Sequence, residues 1–326
     1  MVSGLDQFES ELSRRCFSRR QFLQFCGAMA ATLALPARYT DRIAQALAVA
    51  TRPPLVWLEF QDCTGDTESF LRATQPTVDD LLLDQLSVNY HETIMVPAGA
   101  MTEVSLMDTV RDAAGQYFCV VEGSIPIANG GTYCTIRGRT ALSIVEEVTA
   151  SALATIALGS CAFDGGLAAA APNPTGATGV RGAVPTVQNL VNLPGCPANV
   201  ENLTATLVHY LTFAALPPTD QQGRPRFAYG EEVHEECERH DHYEREEFVL
   251  EWGDAGHRMG WCLRRMGCRG PSAHHNCPTV RWNGGTSWPV AAGHGCIGCS
   301  QSQFWDRHTP FYARQGGGDD DGGEED

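Results

Sequence analysis

The sequence predicts an α/β protein with a doubly wound, mostly parallel sheet, followed by an irregular C-terminal region. Short apolar runs such as residues 55–60 and 117–121 have the length and composition of buried strands. Segments of helical composition alternate with these runs, which is typical of a parallel sheet. Between His234 and Cys299, in contrast, six cysteines lie among Gly, Pro and Trp with little periodicity. This last third has too few apolar faces for a core of its own, so something else must hold it together.

The elements of the sheet domain follow from the same patterns in chain order. They are a strand at 55–60, a helix from near Thr67, a helix at 81–86, strands at 92–96 and 117–121, a helix at 141–156 and a strand end at 157–161. After these come a Gly-, Ala- and Pro-rich loop at 164–185, a turn at 193–197 and a helix at 202–214. We expect the domain to end near Pro217 and Pro218. Ligands of such sheets gather at the carboxyl ends of the strands, which is where Cys63 and Glu122 are expected.

The composition argues against nucleic acid as a partner. The formal net charge is -16, and all 23 basic residues are Arg. Binding to nucleic acid requires a face rich in Lys and Arg. With 326 residues and 43% hydrophobic content, the chain is long enough for two domains and has the composition of a globular protein.

Residues 1–50 have the pattern of a twin-arginine export signal. The sequence Ser-Arg-Arg-Gln-Phe-Leu at 18–23 precedes an apolar run through Ala37, and small-residue sites follow at 44–46 and 48–50. This route moves folded proteins, so a cofactor can be inserted before export. No later stretch offers the roughly 18 apolar residues that a spanning helix needs. We therefore expect the mature chain, without a transmembrane helix, in the periplasm or on the outer face of the cytoplasmic membrane.

The thirteen cysteines admit either a disulfide framework or metal ligation. Two of them, Cys16 and Cys26, lie within the export signal, which leaves eleven in the mature chain. An odd number cannot all pair within one chain. Insertion of a cofactor before export also favours metal over disulfides.

Ligand spacing alone does not name the metal. Cys296 and Cys299 are separated by two residues, so both thiolates can reach one centre from a single loop, as in a zinc site or a redox dithiol. His234 and Cys237 have the same spacing, which is typical of structural zinc sites. The ligands taken together are too many and too dispersed for one zinc ion.

The ordered set of motifs resembles the small subunit of nickel-iron hydrogenases over residues 55–306. The motifs are Trp57-Leu58 before Cys63-Thr64-Gly65, Glu122-Gly123-Ser124-Ile125-Pro126, Pro194-Gly195-Cys196-Pro197, His234 with Cys237, Gly260-Trp261-Cys262, Gly267-Cys268-Arg269-Gly270-Pro271, Asn276-Cys277-Pro278 and Gly293-His294-Gly295-Cys296-Ile297-Gly298-Cys299. The resemblance implies a flavodoxin-like first domain. It also implies a row of three iron-sulfur clusters that leads from a nickel-iron site in a separate large subunit to the protein surface.

The resemblance also implies the ligands of each cluster. The proximal 4Fe-4S cluster would take Cys63, Cys161 and Cys196, and the distal 4Fe-4S cluster would take His234, Cys237, Cys262 and Cys268. The medial cluster would take Cys277, Cys296 and Cys299. Pro289 occupies the region where a fourth medial cysteine could serve, and because proline cannot ligate iron, a 3Fe-4S cluster is expected.

One departure from the family concerns Asp66. The family usually has Cys-Thr-Gly-Cys at the proximal loop, and here the last position is Asp66. Either its carboxylate is the fourth ligand, which we favour, or the proximal cluster lacks one iron. An oxygen ligand changes the potential of an iron-sulfur centre and its response to oxidation. Since related sequences with aspartate here belong to oxygen-tolerant branches, Asp66 motivates a hypothesis of oxygen tolerance.

Several residues near these ligands are expected to have other roles. Cys119 lies in an apolar run and is interpreted as a core residue. Cys134 lies where some oxygen-tolerant relatives carry an extra proximal cysteine, but its usual companion would fall at Gly65. His294 could tune the medial cluster by hydrogen bonding. For Asp62 and Glu122, capping or packing is favoured over proton relay.

Taken together, the resemblance implies an exported electron-transfer subunit of an uptake-type hydrogenase, which oxidises H2 only with its large subunit. The expected organisation is a signal at 1–50, a flavodoxin-like domain at 51–218, a cluster domain at 219–310 and a disordered acidic tail at 311–326. The expected partners are the large subunit and an electron acceptor such as a cytochrome, in a heterodimer or a dimer of heterodimers. The alternative is an exported binding protein stabilised by zinc or disulfides, without a redox role.

Overall fold

A five-stranded parallel sheet forms the centre of the N-terminal half. The computed structural model describes residues 19–49, 52–74 and 86–313. The strands are β1 Pro54–Glu59, β2 Ser87–His91, β3 Phe118–Glu122, β4 Ala154–Leu158 and β5 Leu190–Leu193. Their order across the sheet is β2-β1-β3-β4-β5, and every pairing is parallel. This is the strand order of flavodoxin-like doubly wound folds, as the sequence predicts.

Helices flank the sheet and continue into the C-terminal region. They are α1 Arg19–Thr32, α2 Tyr39–Val49, α3 Gly65–Leu71, α4 Ala100–Asp112, α5 Ala141–Ala150, α6 Gly159–Asp164, α7 Val180–Ala183, α8 Val200–Phe213, α9 Arg226–Tyr229, α10 His240–Glu244, α11 Ala255–Met259, α12 Cys277–Val280 and α13 Phe304–Arg307. Two short antiparallel pairs join Ile125–Pro126 to Ala177–Thr178 and Thr135–Ile136 to Arg139–Thr140. Single 3-10 turns lie at Ala128–Gly131, Gly166–Ala169, Arg264–Met266 and Gly270–Ser272.

The register of the sheet aligns the carboxyl ends of four strands. Glu59 of β1 lies opposite Glu122 of β3, which in turn lies opposite Leu158 of β4. Leu158 lies opposite Leu193, the last residue of β5. The loops that follow these strands therefore leave the sheet at one edge, and they carry cysteines at three of the four positions.

Alternating side chains of the strands build two cores, one on each face of the sheet. Leu55 and Trp57 of β1 pack with α3 and α8, while Val56 and Leu58 pack on the opposite face with α4, α5 and α6. All four side chains are at most 1% exposed. Full burial of a large apolar side chain stabilises a fold by about 1.5–3 kcal/mol. The two cores thus give the sheet domain a stability that does not depend on bound groups.

The N-terminal helices α1 and α2 form a hairpin that packs on the outer face of α8. Phe25 and Met29 of α1 and Ile43 of α2 are buried against Ala205 and Val208 of α8. This packing is not predictable from the sequence pattern, because an apolar run does not show which helix it packs against.

Three boundaries differ from the sequence prediction. The strand predicted at 92–96 is wrong: the strand is β2, and the next residues form a turn in which Met95 N donates to His91 O at 3.1 Å and Val96 is 97% exposed. The predicted helix at 141–156 is too long, because residues 154–158 pair with β3 as β4. The predicted loop at 164–185 contains α7 and a short strand. The helix predicted at 81–86 lies outside the described residues except for Leu86.

The C-terminal region has only short helices and a small core. Val249, Leu263, Met266 and Trp288 are among the seven buried apolar residues that the structure groups there, and partly buried cysteines pack against them. No described helix combines the length and the apolar character needed to cross a membrane. The acidic residues predicted to form the tail lie outside the described range from position 314 onward.

Candidate iron-sulfur centres

The loops at the carboxyl edge of the sheet bring Cys63, Cys161, Cys196 and Asp66 together. Burial, together with the charges of Asp66, Cys196 and Cys63, raises the pKa of Cys161 to about 12. Like charges have this effect only at short range, so the four side chains share one neighbourhood. Cys63 and Cys196 are exposed on the isolated chain. We call these four residues the proximal group.

Asp66 is buried within the proximal group. Its Oδ1 accepts a hydrogen bond from the Ala198 amide at 2.6 Å, two residues after Cys196. Burial raises the pKa of Asp66 to about 8, and the nearby Glu122 carboxylate adds to the effect. A Cβ at Gly159, whose φ is +80°, would come within 2.0 Å of Asp66 Oδ2. Glycine is therefore required at position 159 for the carboxylate to lie between the loops that carry Cys161 and Cys196.

Glu122 fixes the loop that presents Cys63 and Asp66. Its carboxylate accepts hydrogen bonds from the amides of Asp66 at 2.9 Å and Thr67 at 3.1 Å, from the Thr67 hydroxyl at 2.5 Å and from Trp57 Nε1 at 3.0 Å. The amides of Asp66 and Thr67 belong to the first turn of α3, where backbone amides otherwise lack partners. Glu122, the last residue of β3, thus caps helix α3. This agrees with the capping or packing role that the sequence favours over proton relay.

Other acidic groups crowd the same edge. Glu59, Asp62 and Glu122 each offer a carboxylate oxygen within 4.8 Å of the others. Burial raises the pKa of Asp62 to about 6, with smaller contributions from the charges of Glu122 and Glu59. The Thr93 hydroxyl donates to Glu59 at 2.7 Å, and Asp62 Oδ1 accepts the Thr64 amide at 3.0 Å. These contacts give each carboxylate a structural role.

A second group lies in the C-terminal region and consists of His234, Cys237, Cys262 and Cys268. All four line one cavity. The Arg239 amide donates to Cys237 Sγ at 3.4 Å, and the Cys296 amide donates to Cys268 Sγ at 3.2 Å. Burial raises the pKa of Cys262 to about 11, while hydrogen bonding to the Arg264 amide and the positive charges of Arg239 and Arg264 oppose the rise. We call these residues the distal group.

A third group, Cys277, Cys296 and Cys299, lies between the other two. Burial raises the pKa of Cys296 well above its ordinary value, and Cys268, Cys299 and Cys277 all contribute to the rise. The Gly298 amide donates to Cys296 Sγ at 3.3 Å. Cys277 Sγ lies 3.0 Å from Nδ1 of His275. We call the three cysteines the medial group.

Direct contacts join the three groups in a row. Ser160 Oγ, beside Cys161, donates to the Cys299 carbonyl at 2.5 Å. On the other side, the amide of Cys296 donates to Cys268 Sγ. The order of the groups is therefore proximal, medial and distal, and a hydrogen bond joins the neighbouring groups at each step.

The remaining cysteines lie outside these groups. Cys119 is buried in the core beside β1, as predicted, and Cys26 is buried in the hairpin contact. Cys134 is partly buried against the core that contains Cys119, and burial together with the charges of Glu92 and Asp62 raises its pKa. Cys16 lies outside the described residues.

The histidine beside a medial cysteine is His275, whereas the sequence suggested His294 for this position. The His294 ring lies 6.0 Å from Trp252 and 6.3 Å from Tyr312, and no described contact joins it to a cysteine sulfur. The imidazole that does contact a medial cysteine is His275. Its sequence position, two residues before Cys277, was the only available signal. Pro289 is exposed, and its carbonyl accepts the His294 amide at 2.9 Å.

The donor sets fit iron-sulfur clusters. Cysteine thiolates, with an occasional histidine, are the usual ligands of such clusters, and hydrogen bonds to the sulfur atoms tune them. Glycine leaves space beside the sulfur atoms: a Cβ at Gly166 would lie 2.4 Å from Cys161 Sγ, and one at Gly65 would lie 3.0 Å from Cys63 Sγ. Burial of the cysteines favours their neutral thiols, so a bound metal must displace protons.

The fold and these groups define a protein with three groups of sulfur ligands in a row, which is the donor chemistry of a metal-sulfur protein. Two family models match: the C-terminal model of the NiFe/NiFeSe hydrogenase small subunit over residues 229–312, and the model of the NADH ubiquinone oxidoreductase 20 Kd subunit over residues 63–210. The chain belongs to the small subunits of nickel-iron hydrogenases, the electron-transferring iron-sulfur subunits that form the enzyme with a large subunit.

The relatives cover nearly the whole chain. The chain is 45% identical over 310 residues to the periplasmic [NiFe] hydrogenase small subunit 1 of Nitratidesulfovibrio vulgaris, a match that covers 95% of this chain and 97% of that relative. It is 41% identical to the uptake hydrogenase small subunit of Azotobacter vinelandii, over 96% of this chain and 87% of that one. The structure of the [NiFeSe]-hydrogenase of Dm. baculatum matches with a TM-score of 0.75 and 33% identity, over 82% of this chain and 100% of that chain.

Proposed function

We propose that this protein transfers electrons from H2 oxidation through three iron-sulfur clusters held by the three groups. The proximal 4Fe-4S cluster is held by Cys63, Asp66, Cys161 and Cys196, the medial 3Fe-4S cluster by Cys277, Cys296 and Cys299, and the distal 4Fe-4S cluster by His234, Cys237, Cys262 and Cys268. The observation that carries the proposal is the row of hydrogen bonds from Ser160, next to Cys161, to Cys299 and from Cys296 to Cys268. Iron quantitation with electron paramagnetic resonance, described at the end of the Discussion, tests it.

The residues of the chain hold and shield the redox groups. When bound, the clusters supply sites that accept and release one electron each. Backbone amides of Arg239, Cys296 and Gly298 donate to cysteine sulfurs, and these dipoles stabilise negative charge on the ligands. The positive charges of Arg239 and Arg264 act in the same direction at the distal group. The medial cysteines are partly buried, and Cys277 and Cys296 pack against the apolar core of the C-terminal region.

Asp66 is proposed as the fourth proximal ligand. Only Oδ1 is engaged by the Ala198 amide, and Oδ2 has no hydrogen bond described. The charge of Asp66 contributes to the raised pKa of both Cys161 and Cys196, which agrees with a carboxylate close to two other proposed ligands. A carboxylate is a harder ligand than a thiolate and changes the potential and the oxidation behaviour of the cluster. We extend the proposal to oxygen tolerance on this basis.

The oxygen hypothesis predicts a difference between the native enzyme and Asp66→Cys. The native complex should retain a larger fraction of its anaerobic H2-oxidation rate in air, because its proximal cluster responds differently to oxidation. Both rates should be measured electrochemically on the same electrode film, first without oxygen and then with it. Equal fractional losses in the two proteins, at equal anaerobic rates and iron contents, would rule out this role for Asp66.

The large subunit is proposed to cover the proximal edge. Cys63 and Cys196 are exposed there on the isolated chain. Near the same end of the sheet, Val96, Met101 and Val104 are 97%, 69% and 57% exposed. Clustered exposed apolar side chains mark interaction surfaces. We propose a heterodimer or a dimer of heterodimers, with the acceptor, such as a cytochrome, receiving electrons at the distal end.

We also propose a domain organisation and an export route for the chain. The flavodoxin-like domain is assigned to 51–218 and the cluster domain to 219–310. Residues 1–50 are proposed to direct twin-arginine export to the periplasm or the outer face of the cytoplasmic membrane, as the relative described as periplasmic supports. The Arg20 side chain is exposed, while the apolar side of α1 is buried.

Replacing Arg19 and Arg20 together with lysine should hold the precursor in the cytoplasm. Lysine preserves the charge, so only recognition of the arginine pair is removed. Fractionation of cells should find both subunits and their H2-oxidising activity inside, with iron content unchanged. Arg38→Lys, outside the motif, is the matched control. Undiminished arrival of the double variant in the periplasm would contradict twin-arginine routing.

A further inference from the structure

His275 lies against the medial group with one ring nitrogen at a ligand sulfur. The side chain is 4% exposed, and Nδ1 lies 3.0 Å from Cys277 Sγ. The other ring nitrogen, Nε2, is buried and has no hydrogen-bond partner among the described residues. The ring also meets the buried Tyr229 ring edge to face, with 5.1 Å between centroids and 86° between planes. The packing therefore fixes the orientation of the imidazole.

The chemistry of a metal-bound cysteine decides which atom donates. A cysteine that ligates iron is a thiolate and carries no proton, so it can only accept a hydrogen bond. Nδ1 at 3.0 Å must then carry the proton, whatever the state of Nε2. The opposite tautomer would place a nitrogen lone pair against the thiolate, which is repulsive. Ligation of the cluster thus selects a single tautomer at this position.

We propose that His275 is a positioning residue of the medial centre, which donates its Nδ1–H to the Cys277 thiolate and raises the reduction potential of that centre. The inference rests on the proposed function, because it assumes a cluster on the medial cysteines. One electron that enters the centre adds one negative charge and forms or breaks no bond. An N–H dipole directed at a ligand sulfur stabilises that added charge, and hydrogen bonds to sulfur are a known determinant of cluster potentials.

The medial cysteines differ in their donors. Cys296 Sγ accepts from the Gly298 backbone amide. Cys277 Sγ has a side-chain donor beside it, His275 Nδ1. Side-chain donors can be removed by substitution, whereas backbone amides cannot. The potential of the medial centre is therefore adjustable at position 275 without changing a ligand.

The test compares two substitutions at His275 in the purified two-subunit complex. His275→Leu removes the donor, while His275→Asn keeps an amide N–H at a similar reach. His242→Leu is the control, because His242 pairs with Glu247 at the surface and has no described contact with a medial cysteine. Redox titration monitored by electron paramagnetic resonance gives the medial midpoint potential. Electron-nuclear double resonance in H2O and D2O detects an exchangeable proton coupled to the oxidised centre.

The leucine variant should shift the one-electron equilibrium about tenfold toward the oxidised form, a fall of about 59 mV in potential. It should also lose one exchangeable proton coupling, and the asparagine and control variants should stay near the native potential. Equal shifts in the leucine and asparagine variants, or an unchanged leucine variant, would overturn the proposal. If the leucine variant does not assemble, the native complex labelled with ¹⁵N-histidine decides alone: absence of a histidine ¹⁵N coupling at the oxidised medial centre overturns the proposal. Failure of the proposed function is distinguishable, because the native complex would then show no medial signal at all.

Discussion

Asp66→Ala is expected to remove one iron from the proximal centre and to create a second 3Fe-4S signal. The native small subunit should contain about eleven irons, from centres of four, three and four. Alanine offers no ligand atom, and the two other described cysteines of the sheet domain, Cys119 and Cys134, pack in or against its core rather than in the proximal group. The variant should therefore contain about ten irons, measured against nickel in the co-purified complex, and its oxidised spectrum should integrate to two such centres.

Asp66→Cys is the matched variant for this experiment. A thiolate at position 66 supplies the ligand that the family usually has there, so the iron count should stay at about eleven. If the native protein itself shows a second 3Fe-4S centre that disappears only in the cysteine variant, Asp66 does not ligate. The carboxylate would then be a buried group held by the Ala198 amide and nothing more.

Removal of iron is expected to unfold the C-terminal region before the sheet domain. The region from 219 to 310 has a small apolar core around Val249, Leu263 and Trp288, against which ligand cysteines pack. Cluster binding supplies folding free energy that such a core lacks. After chelation, hydrogen exchange should show opening free energies near 0 kcal/mol in this region, while β1 to β5 keep values of several kcal/mol.

The control for chelation is the same chelator saturated with iron beforehand, which should leave the exchange pattern of the holoenzyme unchanged. Amides of β3 around Cys119 provide the internal reference, because that strand lies in the centre of the sheet and its side chains are buried on both faces. Uniform loss of protection in β3 and around Cys262 would contradict the account, since it would mean that the two parts unfold as one unit.

The sequence predicted the strands that are buried on both faces of the sheet. The apolar runs at β1 and β3 are hydrophobic on both faces, which is typical of strands inside a parallel sheet. The prediction failed at 92–96, where Val96 has strand composition but lies exposed in a turn. The apolar pattern of a sequence cannot distinguish a residue that is buried in the fold from one that is exposed on its surface. The helix predicted at 141–156 failed at its end, where residues 154–158 pair with β3.

The proposed cluster ligands were predictable from the sequence where cysteine spacing and sequence motifs mark them. Cys63, Cys161 and Cys196 lie after β1, β4 and β5, whose ends the register aligns, so their convergence follows from the fold. The contact of His275 with Cys277 could not be read from the sequence, because His274, His275 and His294 have similar settings there. Only packing against Tyr229 separates His275 from the others. The docking of α1 on α8 likewise depends on tertiary contacts.

The most direct test of the three-centre account is iron quantitation with electron paramagnetic resonance on the native two-subunit complex, poised oxidised and then reduced. The account predicts about eleven small-subunit irons for each nickel. It also predicts one oxidised 3Fe-4S centre and two 4Fe-4S centres that become paramagnetic on reduction. Zinc in place of iron at any group, or a count that leaves the medial or distal group without a cluster, would contradict it.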